Sequence, residues 1–230
     1  MADPTFHQAD GSEPGGTGTS LSLPAMSTTT GRFLFVTASH YTASVDVSSI
    51  TDTAGNTYTK AGTTQGGDAN QDNEVWYTAS PITGNASNVV TINFSGTASF
   101  RLGSVSEFSH PTATACAYDA EATHAMTNGT SLVSNSVTTS AADALIIGQW
   151  VAFDDPETLS NGTNGTIMWT ADQGGVDDAA SAYRFTDAAG SYTIDITSAN
   201  DSPGTDNYST VAKAFIFTGG GGISTAWLIA

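Results

Sequence analysis

Hydrophobic and polar residues alternate along this chain in short runs, and turn residues separate the runs. Arg32 to Ser39 (RFLFVTAS) is one run, bounded by Gly31. Asn56 to Lys60 (NTYTK) follows the turn Ala54-Gly55. Glu74 to Ala79 (EVWYTA) follows a polar loop and stops before Pro81. Asn88 to Ser95 (NVVTINFS) and Phe100 to Ser109 (FRLGSVSEFS) complete the first half. Several short strands at this spacing, with Gly, Asn and Asp between them, predict a sandwich or barrel.

The blocks then recur in the same order. GRFLFVTASHY, TDTAGNTYTKAG, EVWYTASPITG, TINFSG and LGSVSEFS are answered by DALIIGQWVAF, TNGTIMWTADQGG, SAYRFTDAAG, TIDITS and AKAFIFTG. Phe33-Leu34-Phe35 aligns with Leu145-Ile146-Ile147, Thr91-Ile92-Asn93-Phe94 with Thr193-Ile194-Asp195-Ile196, and Val105–Ser109 with Ala214–Thr218. Thr19 to Leu23 aligns with Asn135 to Thr139. The offset changes along the chain, which places the insertions in loops. The fold class expected is all-β: an antiparallel two-sheet, jelly-roll-like β-sandwich with an internal pseudo-twofold repeat. Residues 1–18 read as an N-terminal arm and 19–218 as the sandwich, with halves 19–110 and 131–218. Residues 219–230 read as a spacer and tail. Tandem sandwiches are the alternative to interleaved halves. The link from His110 to Ser134 lacks a flexible linker's Pro and Gly density and holds apolar Cys116, Ala117 and Tyr118, so interleaving is favoured.

Composition supports sheet. Only 12% of residues are charged, and Lys plus Arg total 5. Helical domains cover their outer faces with Lys, Glu, Arg and Gln, whereas here Thr, Ser, Asn and Gly supply the polarity. The formal net charge of −17 argues against nucleic-acid binding and against anionic membrane surfaces, both of which need clustered bases. The single cysteine, Cys116, has no intrachain partner and reads as a small buried apolar residue. Residues 1–18 show neither a basic start nor an apolar run, so no secretion signal is expected. No stretch reaches the length of a membrane span.

The blocks SITDTAGNTYTKAG, EVWYTASPITG and VSEFS, with SNSVTTSAADALIIG opening the second copy, resemble a β-sandwich module of phage virion proteins and of bacterial and archaeal surface proteins. The resemblance covers roughly residues 19 to 218. It implies architecture and brings no catalytic residues with it. Surface-protein members have secretion signals and larger chains, which favours the phage setting.

Four candidate features follow. Asp68, Asn70, Asp72 and Glu74 place oxygen ligands at alternate positions, as calcium loops do, but Asn73 stands where an EF-hand loop has its glycine. The expectation is no cofactor beyond calcium there; Asp177 and Asp178 are a weaker echo. Asp154, Asp155 and Glu157 pair carboxylates, which can work on sugars, yet beside Pro156 they are ordinary turn residues. The histidines His7, His40, His110 and His124 show no ligand spacing. Trp76, Tyr77, Trp150, Trp169 and Tyr183 lie in strand patterns that suit core packing, with one exposed aromatic sufficing for sugar stacking.

Past Gly219–Gly222, the apolar Ile223, Trp227, Leu228 and Ile229 read as a subunit interface or as a last strand. The function expected is a non-enzymatic virion structural protein: a head decoration, spike or tail-appended subunit. It would assemble in the host cytoplasm and pair with copies of itself, other virion proteins or a host glycan. The alternatives are a carbohydrate-binding adhesin module and a polysaccharide-degrading enzyme.

Overall fold

The computed structural model describes residues 4–14, 16–66, 71–123, 125–127, 130–152, 158–172, 178–199 and 208–219. Every regular element among them is a β-strand, and every ladder is antiparallel. The protein is an all-β sandwich.

The first half has an inner sheet ordered β1 (Thr5–Ser12), β10 (Leu102–Ser109), β4 (Phe33–Tyr41), β7 (Gln71–Tyr77) and β6 (Thr59–Lys60). Its outer layer joins β2 (Thr17–Ser22), β9 (Val90–Ser99) and β5 (Val47–Asp52), beside the pair β3 (Met26–Thr28) and β8 (Asn85–Asn88). The second half has an inner sheet ordered β11 (Ala115–Glu121), β21 (Tyr208–Thr218), β15 (Leu145–Ala152), β18 (Asp178–Phe185) and β17 (Thr166–Asp172), with β12 (Ala125–Thr127) also on β21. Its outer layer is β13 (Ser131–Val133), β20 (Asp195–Ser198) and β16 (Leu159–Asn161), beside β14 (Val137–Thr139) and β19 (Gly190–Tyr192). Apart from β12, the strand order of the second half parallels that of the first. In that match Val137–Thr139 takes the place of Met26–Thr28, and Ser131–Val133 that of Thr17–Ser22. The counterpart of Thr19–Leu23 therefore lies one strand earlier than the sequence alignment puts it.

Three main cores, with a smaller fourth cluster of Leu102, Val151 and Ala179, hold four layers together. Leu34, Val36, Ala38 and Val105 of the first inner sheet pack on Leu21, Ile50, Ile92 and Phe94 of its outer layer. Ile146, Trp150, Ala182 and Ala214 pack likewise on Leu132, Val137 and Ile196. The third core lies between the two inner sheets, where Phe33, Phe35, Tyr77 and Phe108 meet Leu145, Ile147 and Phe215. The rings interlock: Phe35 lies edge-on to Phe215 at 4.8 Å, and Phe6 stacks on Tyr183 at 5.1 Å. Offset and edge-to-face packing are the favoured aromatic geometries.

The halves therefore do not interleave. Among the described residues every ladder joins strands of one half, and the halves pack back to back. The physical reason is visible in β4 and β15. Phe33 to His40 and Leu145 to Ala152 are buried at every position, because each strand sits in a middle layer with apolar packing on both faces. Residues 5–12, read from sequence as part of an arm, instead run along β10 from Thr5↔Ser109 to Ser12↔Gly103. The link between halves is a strand too, and Cys116 N–H donates to the Ala79 carbonyl of the first half at 2.9 Å.

The contact between the inner sheets turns polar along its length. Thr37 and Ser104 share a hydrogen bond at 2.8 Å, and Ser104 Oγ bonds Ser181 Oγ across the halves at 2.9 Å. Asn73 Nδ2 donates to Ser209 Oγ at 2.6 Å, and Gln65 Nε2 to the Ala122 carbonyl at 2.9 Å. Directional bonds fix the register of two sheets that apolar contact alone leaves free to slide.

Candidate contact surface at one end of the sandwich

At one end of the stack, loops of both inner sheets leave side by side. β4 finishes at Tyr41 opposite Gln71 of β7, and β10 starts at Leu102 opposite Ser39. In the second half β15 finishes at Ala152 opposite Asp178. These ends adjoin, because Leu102 packs with Val151, Ala179 and Trp169. Connections 42–46, 61–70, 100–101, 153–158, 173–177 and 199–207 all leave the strands here. Asp68, Asn70, Asp154, Asp155, Glu157 and Asp177 belong to those connections and lie outside the described residues.

Two of the connections cross from the inner to the outer sheet of the first half, and they are tied together. Thr42 Oγ1 and Ser99 Oγ lie 2.8 Å apart, and Ser99 N–H donates to Thr42 Oγ1 at 2.9 Å. Ser99 Oγ also donates to the Tyr41 carbonyl. In the first crossing, Val45 N–H closes a turn on the Thr42 carbonyl at 3.4 Å, and Ser44 adopts φ 64°. In the second, Phe100 adopts φ 47°. Left-handed backbone favours glycine; a bulky side chain there costs about 1–2 kcal/mol. The strained Phe100 holds the largest exposed hydrophobic side chain among the described residues, 39% accessible. Its ring meets Tyr41 edge-on at 6.4 Å and 82°. Arg101, next in the chain, is turned away and donates to the Ser20 carbonyl.

The calcium expectation divides at β7. Glu74 is buried, and its oxygens are engaged by Lys60 Nζ at 2.9 Å, Thr64 Oγ1 at 2.9 Å and Trp76 Nε1 at 2.8 Å. It belongs to a protein network, which leaves Asp72 as the described member open to a cation. Asp72 Oδ2 stands 3.8 Å from His40 Nε2. Burial, then the nearby Asp46 and Glu74 charges, raise the Asp72 pKa, with Lys60 opposing. His40 is fully buried against Phe94, and neither ring nitrogen has a hydrogen-bond partner among the described residues. Burial lowers its pKa while Glu74 and Asp46 oppose, so it stays neutral at pH 7. Among the described residues no three His, Cys, Asp or Glu side chains are grouped to hold a metal ion.

Most aromatics singled out from sequence are packing residues. Trp150 is fully buried, with its indole N–H on the Leu132 carbonyl at 3.2 Å. Tyr77 and Tyr183 lie in the core between halves, Trp76 packs on the first core, and Trp169 lies beside Leu102. Cys116 is buried, and desolvation pushes its thiol pKa well above the ordinary value. His7 bonds Ser109 at 2.8 Å, and His110 stacks on Phe217 at 5.2 Å. His124 and the tail residues Ile223, Trp227, Leu228 and Ile229 lie outside the described residues.

The TDTAGNTY motif has a structural role. Asp52 accepts from Asn56 N–H, Asn56 Nδ2 and Tyr58 Oη at 2.8 Å each, and from Asn88 Nδ2 at 3.0 Å. Burial would raise this carboxyl, but these donors outweigh it and hold the pKa below the usual range. An open depression of about 320 Å³ beside this turn is lined by Asn56, Thr57, Thr59, Ser80 and Pro81. Among the described residues no charged side chain lines it, and both ends of the Asn56 amide are already paired.

Sequence reasoning missed Phe100, because FRLGSVSEFS reads as one continuous strand. The signal available was Ser99 to Leu102: an exposed-type turn position between two strand runs that belong to different sheets. No family model, no curated protein and no solved structure matches the chain.

Proposed function

We propose that the chain is a non-enzymatic virion structural protein that works in assembly or host-surface attachment. It would be a head decoration, spike or tail-appended subunit. One observation carries the reading: the broad inner faces of both sandwiches are used up against each other, and at one end of the stack loops of both halves lie side by side. A rigid body that carries adjoining loops from both halves suits contact with another surface. The module resemblance supplies the phage setting. The net charge of −17 supports partners other than nucleic acid and anionic membrane surfaces; no membrane insertion is part of the reading. The partners proposed are further copies of the chain, other virion proteins and a host glycan, with localisation on the particle.

The test is location. Particles are banded on a density gradient from a lysate expressing the chain, and the fractions are probed with antibody. Co-banding with particles is the expected result. Recovery only in the free-protein fractions would overturn the reading. A carbohydrate-binding adhesin is the second reading, favoured by the exposed Phe100 ring. Turnover of a polysaccharide, abolished in Asp154→Asn or Asp155→Asn, would install the enzyme reading instead.

A further inference from the structure

We propose that His40 is an acid-sensitive latch: it holds the Tyr41 end of the first half closed at neutral pH and releases it on acidification. The proposal stands apart from the virion reading, because it concerns the chain by itself.

His40 is fully buried on β4 and lies edge-on to Phe94 of β9, at 5.3 Å and 84°. Neither ring nitrogen has a hydrogen-bond partner among the described residues. An apolar side chain would fill this place without dehydrating a polar group, so the imidazole costs stability that a phenyl or thioether would not. The strand is also weakly held here. β10 pairs with β4 only as far as Leu102↔Ser39, so His40 and Tyr41 are ladder-paired on one side alone, to Asp72 and Gln71 of β7. Just beyond, the 42–46 crossing is bonded to β9 beside Phe94: Ser95 N–H donates to the Asp46 carbonyl at 2.8 Å, and Asp46 N–H to Ser95 Oγ at 3.0 Å. The His40 ring thus joins the last residues of β4 to the strand on which the crossing is anchored. A strand end with few ladder bonds can open while the rest of the fold stays intact.

The surroundings decide what a proton does to this ring. Among the described residues the charged groups that face it are Asp72 and Glu74 of β7 and Asp46 of the crossing, with Lys60 of β6 bound to Glu74. β9 brings no charged residue. None of these groups is placed to keep a protonated ring buried. Asp72 Oδ2 is 3.8 Å from Nε2, beyond hydrogen-bond length. Burial and the Asp46 and Glu74 charges raise the Asp72 pKa, so acid discharges it earlier than an ordinary aspartate. Glu74 is already engaged by Lys60, Thr64 and Trp76. Asp46 is exposed, and water and salt screen its charge. Burial lowers the His40 pKa, with Glu74 and Asp46 opposing. An open form whose ring reaches water therefore binds more protons than the closed form below about pH 6.5, and falling pH shifts the population toward it. Above that range the ring is largely neutral in both forms and the latch stays shut.

The experiment is hydrogen exchange read by mass spectrometry on the full chain at pH 7.5 and pH 5.0, with exchange times scaled for the intrinsic rate. Peptides covering 36–46 and 92–101 report on the latch, and peptides from β15 and β21 serve as the reference. Protection of the first two should fall by about fivefold or more in acid while the reference holds. His40→Met removes the titrating group and leaves an adaptable apolar filler, so its peptides should keep their protection at pH 5.0. His40→Gln takes its place if the methionine variant misfolds. The His40 ring resonance of the parent chain gives an independent reading, with a titration midpoint expected below about 6.5. The proposal fails if protection at 36–46 is the same at both pH values, or if the reference peptides lose protection equally, since acid then unfolds the whole chain. It also fails if the variant loses protection as the parent does, or if the His40 midpoint lies at or above that of an exposed histidine. The parent chain's exchange and titration decide the matter even where neither variant folds.

Discussion

Glu121 and Lys213 face each other across β11 and β21, and the Lys213 ammonium binds both the Glu121 carboxylate and, at 2.8 Å, the Thr63 carbonyl of the other half. Lys213 is fully buried, whereas the Glu121 side chain is 23% exposed. Glu121 also accepts from Thr63 Oγ1 at 2.7 Å and Thr63 N–H at 3.1 Å. This one ion pair therefore pins the β6–β7 connection of the first half to the second.

Removing the carboxylate strands a buried cation. Burial already lowers the Lys213 pKa, and its bond to Glu121 is what opposes that. Glu121→Gln should cost about 2–3 kcal/mol, below the range for fully buried pairs because Glu121 is partly in water. Lys213→Met combined with Glu121→Gln should cost less than the two single changes added together. Urea denaturation of the four proteins measures this. Equal stability of Glu121→Gln and the parent chain would show that the pair holds nothing.

The second prediction concerns the approach of β1 to β17. A Cβ on Gly11 would lie 2.4 Å from Trp169 Cε2 and 2.7 Å from the Gly103 carbonyl oxygen. The indole can shift, but the carbonyl belongs to the β10 ladder and cannot. Gly11→Ala should lower stability by about 1–3 kcal/mol through overpacking. A melting temperature unchanged by the substitution would mean that the halves do not approach this closely.

Two aspartates should respond to pH in opposite senses. Asp52 has a folded pKa below its unfolded value, so its stabilisation is present at neutral pH and is lost as pH falls below about 4. Asp72 has a folded pKa above its unfolded value. Its favourable contribution exists at acid pH and is lost as pH rises through the folded value. Asp52→Asn should therefore lower the melting temperature at pH 7 and Asp72→Asn should raise it, with both differences narrowing near pH 3. The same signs at both sites would refute the assignment. Calcium supplies a further arm. A site of about 1 mM affinity at Asp68, Asn70 and Asp72 would add about 1.4 kcal/mol at 10 mM metal. The gain should vanish in Asp72→Asn. No shift with calcium in the parent chain would discard the site.

The strands were legible because their alternation is local. Phe33–Tyr41 and Leu102–Ser109 fall on the runs that pattern marks, whereas β7 starts three residues before its run, with Gln71, Asp72 and Asn73 of the expected polar loop paired to Tyr41, His40 and Ser39. The layering was not read, since interleaving in one two-sheet sandwich was favoured, although the unbroken apolar runs Phe33-Leu34-Phe35-Val36 and Leu145-Ile146-Ile147 carried the signal. Such runs mark strands covered on both faces, and two of them call for more layers than one two-sheet sandwich offers. β1 was not legible. TFHQADGS has little alternation, and its place depends on Phe6 meeting Phe108 at 5.4 Å and Tyr183 from distant sequence. Lys213 and Glu107 were also hidden, because a buried charge is defined by partners that only the fold brings together. Glu107, with no exposure, is held by Arg32 at 2.9 Å and by Thr29 N–H at 2.7 Å.

The last prediction concerns the chain beyond Gly219. β21 pairs with both β15 and β11, and its ladder to β11 runs as far as Ala115↔Thr218. Thr114 N–H then bonds the Thr218 carbonyl at 3.0 Å, and Thr114 Oγ1 donates to the Gly219 carbonyl at 3.2 Å. The inner sheet of the second half is thus closed off at Thr218, and Gly219, at φ 89°, turns the chain out of the ladder. Ile223, Trp227, Leu228 and Ile229 follow. Burying large apolar side chains contributes about 1.5–3 kcal/mol each before ordering costs, enough to make a subunit contact useful. Deleting residues 220–230 should leave the melting temperature of the dilute monomer unchanged, since no described ladder requires them. The same deletion should abolish self-association by analytical ultracentrifugation or attachment to particles. A truncated chain that melts early or unfolds without cooperativity would make the tail a strand of its own sandwich, and the assembly role of these residues would fall with it.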